Sequence, residues 1–101
     1  MDIGLNNIDI EKIQSVFALH SEVEKVILYG SRAKGTFKPA SDIDLTLVGK
    51  KLNLTIQQKI ENELDDLLLP YKFDISIYHQ IANNELVEHI ERVGKLFFVK
   101  H

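Results

Sequence analysis

An α/β fold, with helices packed on a small sheet, is what this sequence predicts, and three features of its patterning predict it. Apolar residues switch repeatedly between a spacing near 3.6 and a strict alternation, the signatures of helix and strand. The two kinds of segment are interleaved along the chain, so helices are expected to lie against the sheet. Both prolines, Pro39 and Pro70, fall in breaks between segments, where they interrupt no ladder.

The elements follow in order. From Asp9 to Leu19, Ile10, Ile13, Val16 and Phe17 keep helical spacing, with Asp9 as a candidate cap. Val23 to Tyr29 is short, apolar and β-branched and stops at Gly30, which reads as a buried strand. Residues 30–41 are polar and glycine-bearing, a loop with room for one helical turn from Ser31. Asp42 to Val48 alternates: Ile43, Leu45 and Leu47 point one way, Asp42, Asp44 and Thr46 the other. Thr55 to Leu68 carries Ile56, Ile60, Leu64 and Leu67 on one stripe, with Thr55 as candidate cap and Pro70 beyond its end. Tyr71 to Tyr78 alternates again, setting Tyr71, Phe73, Ile75 and Ile77 against Lys72, Asp74, Ser76 and Tyr78. A last helix spans about Asn83 to Val93, Gly94 ends it, and Leu96 to Val99 forms a short final strand.

Composition excludes several classes of function. The 101 residues form one domain, 1–101, with 45% hydrophobic residues to build a core. No apolar run approaches the ~20 residues of a membrane-spanning helix, and Met1-Asp2-Ile3-Gly4 opens no signal-peptide pattern. The absence of cysteine removes disulfides, thiol catalysis and thiolate metal sites together. A cytoplasmic protein is expected. Twelve Lys and Arg against fifteen Asp and Glu give a net charge of −3, so no broad basic surface is available to bind nucleic acid directly. A single nucleotide is a different matter, because a few cations and backbone amides can hold one phosphate chain.

Strand parity carries the chemistry. Asp42 and Asp44 share the polar face of one strand, with Cα atoms ~6.6 Å apart by strand rise. Asp74 lies on the polar face of a later strand. If the two strands are neighbours, the three carboxylates meet on the open face of the sheet. Clustered carboxylates raise one another's pKa unless a cation neutralises them. Oxygen-only ligands suit Mg²⁺ or Mn²⁺, which are completed by water and substrate phosphates. Gly30, ending the preceding strand, lets backbone approach a ligand closely. Ser31 would open a turn whose N–H groups and hydroxyl suit an anion, with Arg32 and Lys34 adding positive charge. A phosphate site facing a metal site is the arrangement needed for phosphoryl or nucleotidyl transfer.

Gly30-Ser31, ten residues, then Asp42-Ile43-Asp44 resembles the G-S-x10-D-x-D signature of the minimal nucleotidyltransferases of the DNA polymerase β-like superfamily. With usage of ~6% at each of four fixed positions, chance produces the pattern in roughly one chain of this length per thousand. Asp74 in Lys72-Phe73-Asp74-Ile75 matches the third carboxylate on a following strand. The resemblance spans nearly the whole chain, and it implies a small mixed sheet with helices packed on one face. It further implies that Gly30 and Ser31 bind the β- and γ-phosphates of ATP and that Asp42 and Asp44 hold two Mg²⁺ ions. Asp74 would complete one metal site and help deprotonate the incoming hydroxyl.

Larger nucleotidyltransferases hold their acceptor on additional domains, and no residues after the last strand are available for one. The acceptor is therefore expected on a second chain, or bound on a very bare surface of this one. Proteins similar to this one commonly pair with a small helical HEPN-domain toxin, and the resemblance implies transfer of AMP to a tyrosine of that toxin by its antitoxin. Association with such a partner or with its own copy is expected. Two other readings remain: a non-catalytic antitoxin or regulatory subunit that binds nucleotide and its partner, and a small-molecule adenylyltransferase. The histidines His20, His79, His89 and His101 have no metal-ligand spacing and read as surface or packing residues. Tyr29, Tyr71 and Tyr78 read as core or core-edge aromatics, and the Leu67-Leu68-Leu69 and Phe97-Phe98 runs as mostly core.

Overall fold

The computed structural model describes residues 2–100; Met1 and His101 lie outside them. Helix α1 (Asn7–Ala18) leads to strand β1 (Lys25–Tyr29), and the five-residue helix α2 (Gly30–Lys34) follows at once. Strand β2 (Ile43–Val48), helix α3 (Leu54–Asp66) and strand β3 (Phe73–Ile77) come next. A 3-10 turn (Tyr78–Gln80), helix α4 (Asn84–Val93) and strand β4 (Lys95–Val99) complete the order. Each predicted element is present, but the helix caps lie elsewhere. Asn6 accepts from the Asp9 N–H at 2.7 Å, so α1 begins before Asp9. Asn53 likewise accepts from the Ile56 N–H at 3.0 Å, which places Thr55 inside α3. A short asparagine side chain reaches the free amides of a first turn well, and it fixes the starting point in both cases.

The sheet is mixed, in the order β3-β2-β1-β4. β1 runs antiparallel to both β2 and β4, while β2 and β3 are parallel. Val26, Leu28, Ile43, Leu45 and Leu47 are fully buried on one face, where Ile13 and Phe17 of α1 and Ile60 and Leu64 of α3 cover them. At the β4 edge the register shifts between Val26 and Ile27, leaving Phe97 as the extra residue of a bulge. That shift turns both Phe97 and Phe98 toward Phe17, with ring centroids 6.3 and 6.0 Å away.

Helix α4 departs from the expectation of helices on one face. It packs on the opposite side of the sheet, where Gly94 meets Ile27 and the His89 ring stands edge-on to Tyr29 at 6.1 Å. Its one buried apolar residue, Ile90, lies outside the main core cluster. The leucine run after α3 is also divided: Leu67 and Leu69 pack against the core, whereas Leu68 is 88% exposed and adopts a left-handed φ of 56°.

Candidate active site

Tyr29, Asp44 and Asp74 stand side by side across three strands. Register pairs Tyr29 with Asp44 and Asp44 with Asp74, so all three project from the face opposite the apolar core. Two pairs further along, on the same face, Ser76 Oγ donates to Thr46 Oγ1 at 2.9 Å. Asp42 precedes β2 by one residue, exposed at the rim. The shared polar face expected from strand parity is therefore present, with Asp44 at its centre.

The Gly30 turn closes over this row. Its φ of 74° is one that L side chains resist, and a Cβ there would run into Asp44 Oδ2. Only glycine permits β1 to turn into α2 so close to a carboxylate. The N-cap Tyr29 supplies no side-chain hydrogen bond to α2. Ser31 is half-buried in the first turn, and Lys34 is exposed in the last. The expected helical turn is real, and it starts one residue earlier, at Gly30 itself.

Arg32 corrects the sequence reading. Expected to reach toward a triphosphate, it is fully buried instead, and its donors are taken by backbone carbonyls. Nε and Nη2 both donate to the Ser41 carbonyl at 3.1 and 2.8 Å. Nη2 also donates to Pro39 at 3.3 Å, and Nη1 donates to Ile3 at 2.9 Å. A guanidinium so enclosed and so bonded is a structural group.

His89 is the residue that sequence reasoning missed. Its Nε2 accepts from the Gly30 N–H at 3.2 Å, which requires the neutral ring with its proton on Nδ1. Nothing in the amphipathic pattern of α4 distinguishes His89 from a solvated polar residue, because the contact depends on which sheet face the helix covers.

The electrostatics follow from the crowding. Asp44 is pushed up to about 6, first by burial, then by the Asp74 and Asp42 charges, with Arg32 opposing. Burial also raises the Tyr29 phenol, opposed by a hydrogen bond with Ser76 and reinforced by Asp74 and Asp44. Carboxylates that repel one another on a face open to solvent are a donor set that fits a hard divalent cation. Among the described residues, however, no three His, Asp or Glu side chains close a metal cage on their own. A cavity of about 540 Å³ between α1 and β4, lined by Gln14 and Phe98 among others, contains none of the residues of this row.

A sequence profile described as "Polymerase beta, Nucleotidyltransferase" matches residues 11–101. This chain belongs to the polymerase beta nucleotidyltransferase family. Two chains of Methanocaldococcus jannaschii, named as candidate protein adenylyltransferases, are relatives of this nucleotidyltransferase. One is 36% identical over 87 residues, covering 76% of this chain and 71% of the relative. The other is 30% identical over 79 residues, covering 75% and 80%. Among solved structures, a chain of a toxin–antitoxin crystal structure with AMP-PNP superposes with a TM-score of 0.71 at 21% identity, covering 96% of this chain and 76% of that one. A chain from a complex of a tri-AMPylated Shewanella oneidensis HEPN toxin with its MNT antitoxin gives 0.69 at 16% identity, covering 95% and 74%. At these identities the structures share the nucleotidyltransferase fold with this chain.

Proposed function

We propose that this nucleotidyltransferase moves AMP from ATP to a tyrosine hydroxyl of a small helical HEPN-type partner, acting as the antitoxin of that pair. The observation that carries the reading is the juxtaposition of the Gly30 turn with the Asp44–Asp74 cross-strand pair in a chain of this family. The relatives named for protein adenylylation and the toxin–antitoxin fold neighbours support the choice of acceptor.

In this reading the Gly30–Ser31 turn holds the β- and γ-phosphates, Gly30 through the close approach its missing side chain allows, its own N–H being taken by His89, and Ser31 through its hydroxyl. Lys34, exposed at the end of α2, adds positive charge beside them. Asp42, Asp44 and Asp74 would hold two Mg²⁺ ions, with substrate and water oxygens completing the ligand sets; such ions would offset charge on the triphosphate and on the attacking oxygen. With its carboxyl at about 6, Asp44 is mostly ionised at neutral pH. Asp74, the more exposed of the pair on β3, accepts the proton of the incoming hydroxyl. The hydroxyl oxygen forms a bond to the α-phosphorus, and the bond from that phosphorus to the bridging oxygen breaks. Pyrophosphate leaves with the electron pair. The protein's part is placement and charge, the larger share of catalysis in such transfers.

The test is transfer of label from ATP carrying a labelled α-phosphate, with Mg²⁺, in an extract containing the product of whichever gene adjoins this one, as the candidate partner. A labelled partner band is expected, falling by more than about a hundredfold in both Asp44→Asn and Asp74→Asn. Label that persists in both variants, or an unlabelled partner with the wild-type protein, contradicts the proposal.

A further inference from the structure

Arg32 is the only charged side chain among the buried residues of the described chain, and its partners come from segments far apart in sequence. Burying a guanidinium is unfavourable unless its donors are satisfied. Here every acceptor is a backbone carbonyl: Ile3 ahead of α1, and Pro39 and Ser41 in the connection to β2. The rings of Phe37 and Tyr71 lie 5.5 and 5.4 Å from its Cζ.

Ser41 is held from several sides. Besides accepting twice from Arg32, it donates through its N–H to the Lys38 carbonyl at 2.9 Å and accepts through Oγ from the Lys38 N–H at 2.8 Å. Asp42 comes next, and the following amide, Ile43 N–H, donates to the Lys72 carbonyl at 2.9 Å. The exposed Asp42 carboxylate thus hangs between two anchored peptide units. The anchor on its N-terminal side is Arg32, one residue beyond the Gly30–Ser31 turn.

We propose that Arg32 is a positioning residue for nucleotidyl transfer: it ties the Ser41–Asp42 peptide to the start of α2 and so sets the Asp42 carboxylate relative to the Gly30–Ser31 turn. The proposal rests on the reading of Asp42 as a site residue. The outer wall of this latch is Ile3-Gly4. Ile3 is fully buried, Gly4 has a φ of 77°, and a Cβ at Gly4 would overlap the Phe37 ring and Arg32 Nη1. Those residues precede the family match, which begins at residue 11. A segment outside the matched region therefore helps to position a carboxylate within it.

Two variants of the full chain test this. Arg32→Lys keeps the charge and loses the planar fork; Gly4→Ala presses on the latch from outside the site. Amide hydrogen exchange is followed on protein free of metal and nucleotide, beside kcat and the KM for ATP. The expected result is exchange at Ser41, whose N–H is bonded to the Lys38 carbonyl, faster by about tenfold or more, with the β1 amides unchanged. With it, kcat falls by about tenfold to a hundredfold while KM stays within about twofold. Gly4→Ala gives the same pattern in weaker form. A raised KM at unchanged kcat would place Arg32 on the nucleotide and overturn the proposal, as would unchanged exchange at Ser41 or a uniform rise across the sheet. If Arg32→Lys does not fold, Gly4→Ala decides on the same readouts. Wild-type protein without transfer activity overturns the functional reading alone, and exchange then decides the latch.

Discussion

On one face of the sheet Leu28, Leu45 and Ile75 lie sealed beneath α1 and α3; on the other, the same three strands present Tyr29, Asp44 and Asp74. The two rows are offset by one residue along each strand, yet they obey opposite rules. The covered face gains from every methylene it removes from water. The open face brings together carboxylates that burial and mutual repulsion disfavour, one of them with its pKa raised to about 6. The contrast shows how a chain of 101 residues supports such a site. Mounting the carboxylates on strands whose other side is fully packed holds them in place. The stability they give up is supplied by the face they do not share.

Substitutions that act on one face only would sharpen the comparison. Phe17→Ala removes the ring that Phe97 and Phe98 pack against. It should lower stability by about 3–5 kcal/mol, measured by denaturant unfolding, and leave transfer per folded molecule unchanged. A loss of transfer in excess of the unfolded fraction would show that the faces are not separable. Gly30→Ala acts on the junction with the open face. It should cost about 1–3 kcal/mol through the left-handed backbone and suppress AMP transfer in the molecules that remain folded, because the added Cβ displaces Asp44. Retained transfer would mean that the close approach of the turn to Asp44 is dispensable.

Strand parity was legible in the sequence because alternation reports directly which residues share a face. Asp44 and Asp74 could be assigned to polar faces before any strand order was known, and the parallel register then placed them side by side. Other features depend on contacts that periodicity does not encode. Pattern alone identifies the apolar stripe of α4 but not which side of the sheet receives it, so the His89 contact with Gly30 was hidden. Arg32 was misread because an arginine beside a glycine-serine turn suggests a phosphate ligand. Its burial arises from carbonyls at Ile3, Pro39 and Ser41 that only the folded chain assembles. The helix starts were shifted because Asn6 and Asn53, outside the apolar pattern, provide the caps.

The central claim, that the open face carries a carboxylate held against its own stability for the sake of binding charge, is tested most directly at Asp44. Unfolding free energy would be measured from pH 4 to 8 for wild type and Asp44→Asn, without divalent metal. A carboxyl raised from 3.8 to about 6 on folding stabilises the protein below the unfolded value and loses that contribution as pH rises through about 6. The difference between wild type and variant should therefore shift in the variant's favour between about pH 4 and pH 6–7, leaving Asp44→Asn the more stable protein at pH 7–8. A difference independent of pH, or a variant that is less stable at pH 7–8, would contradict the account.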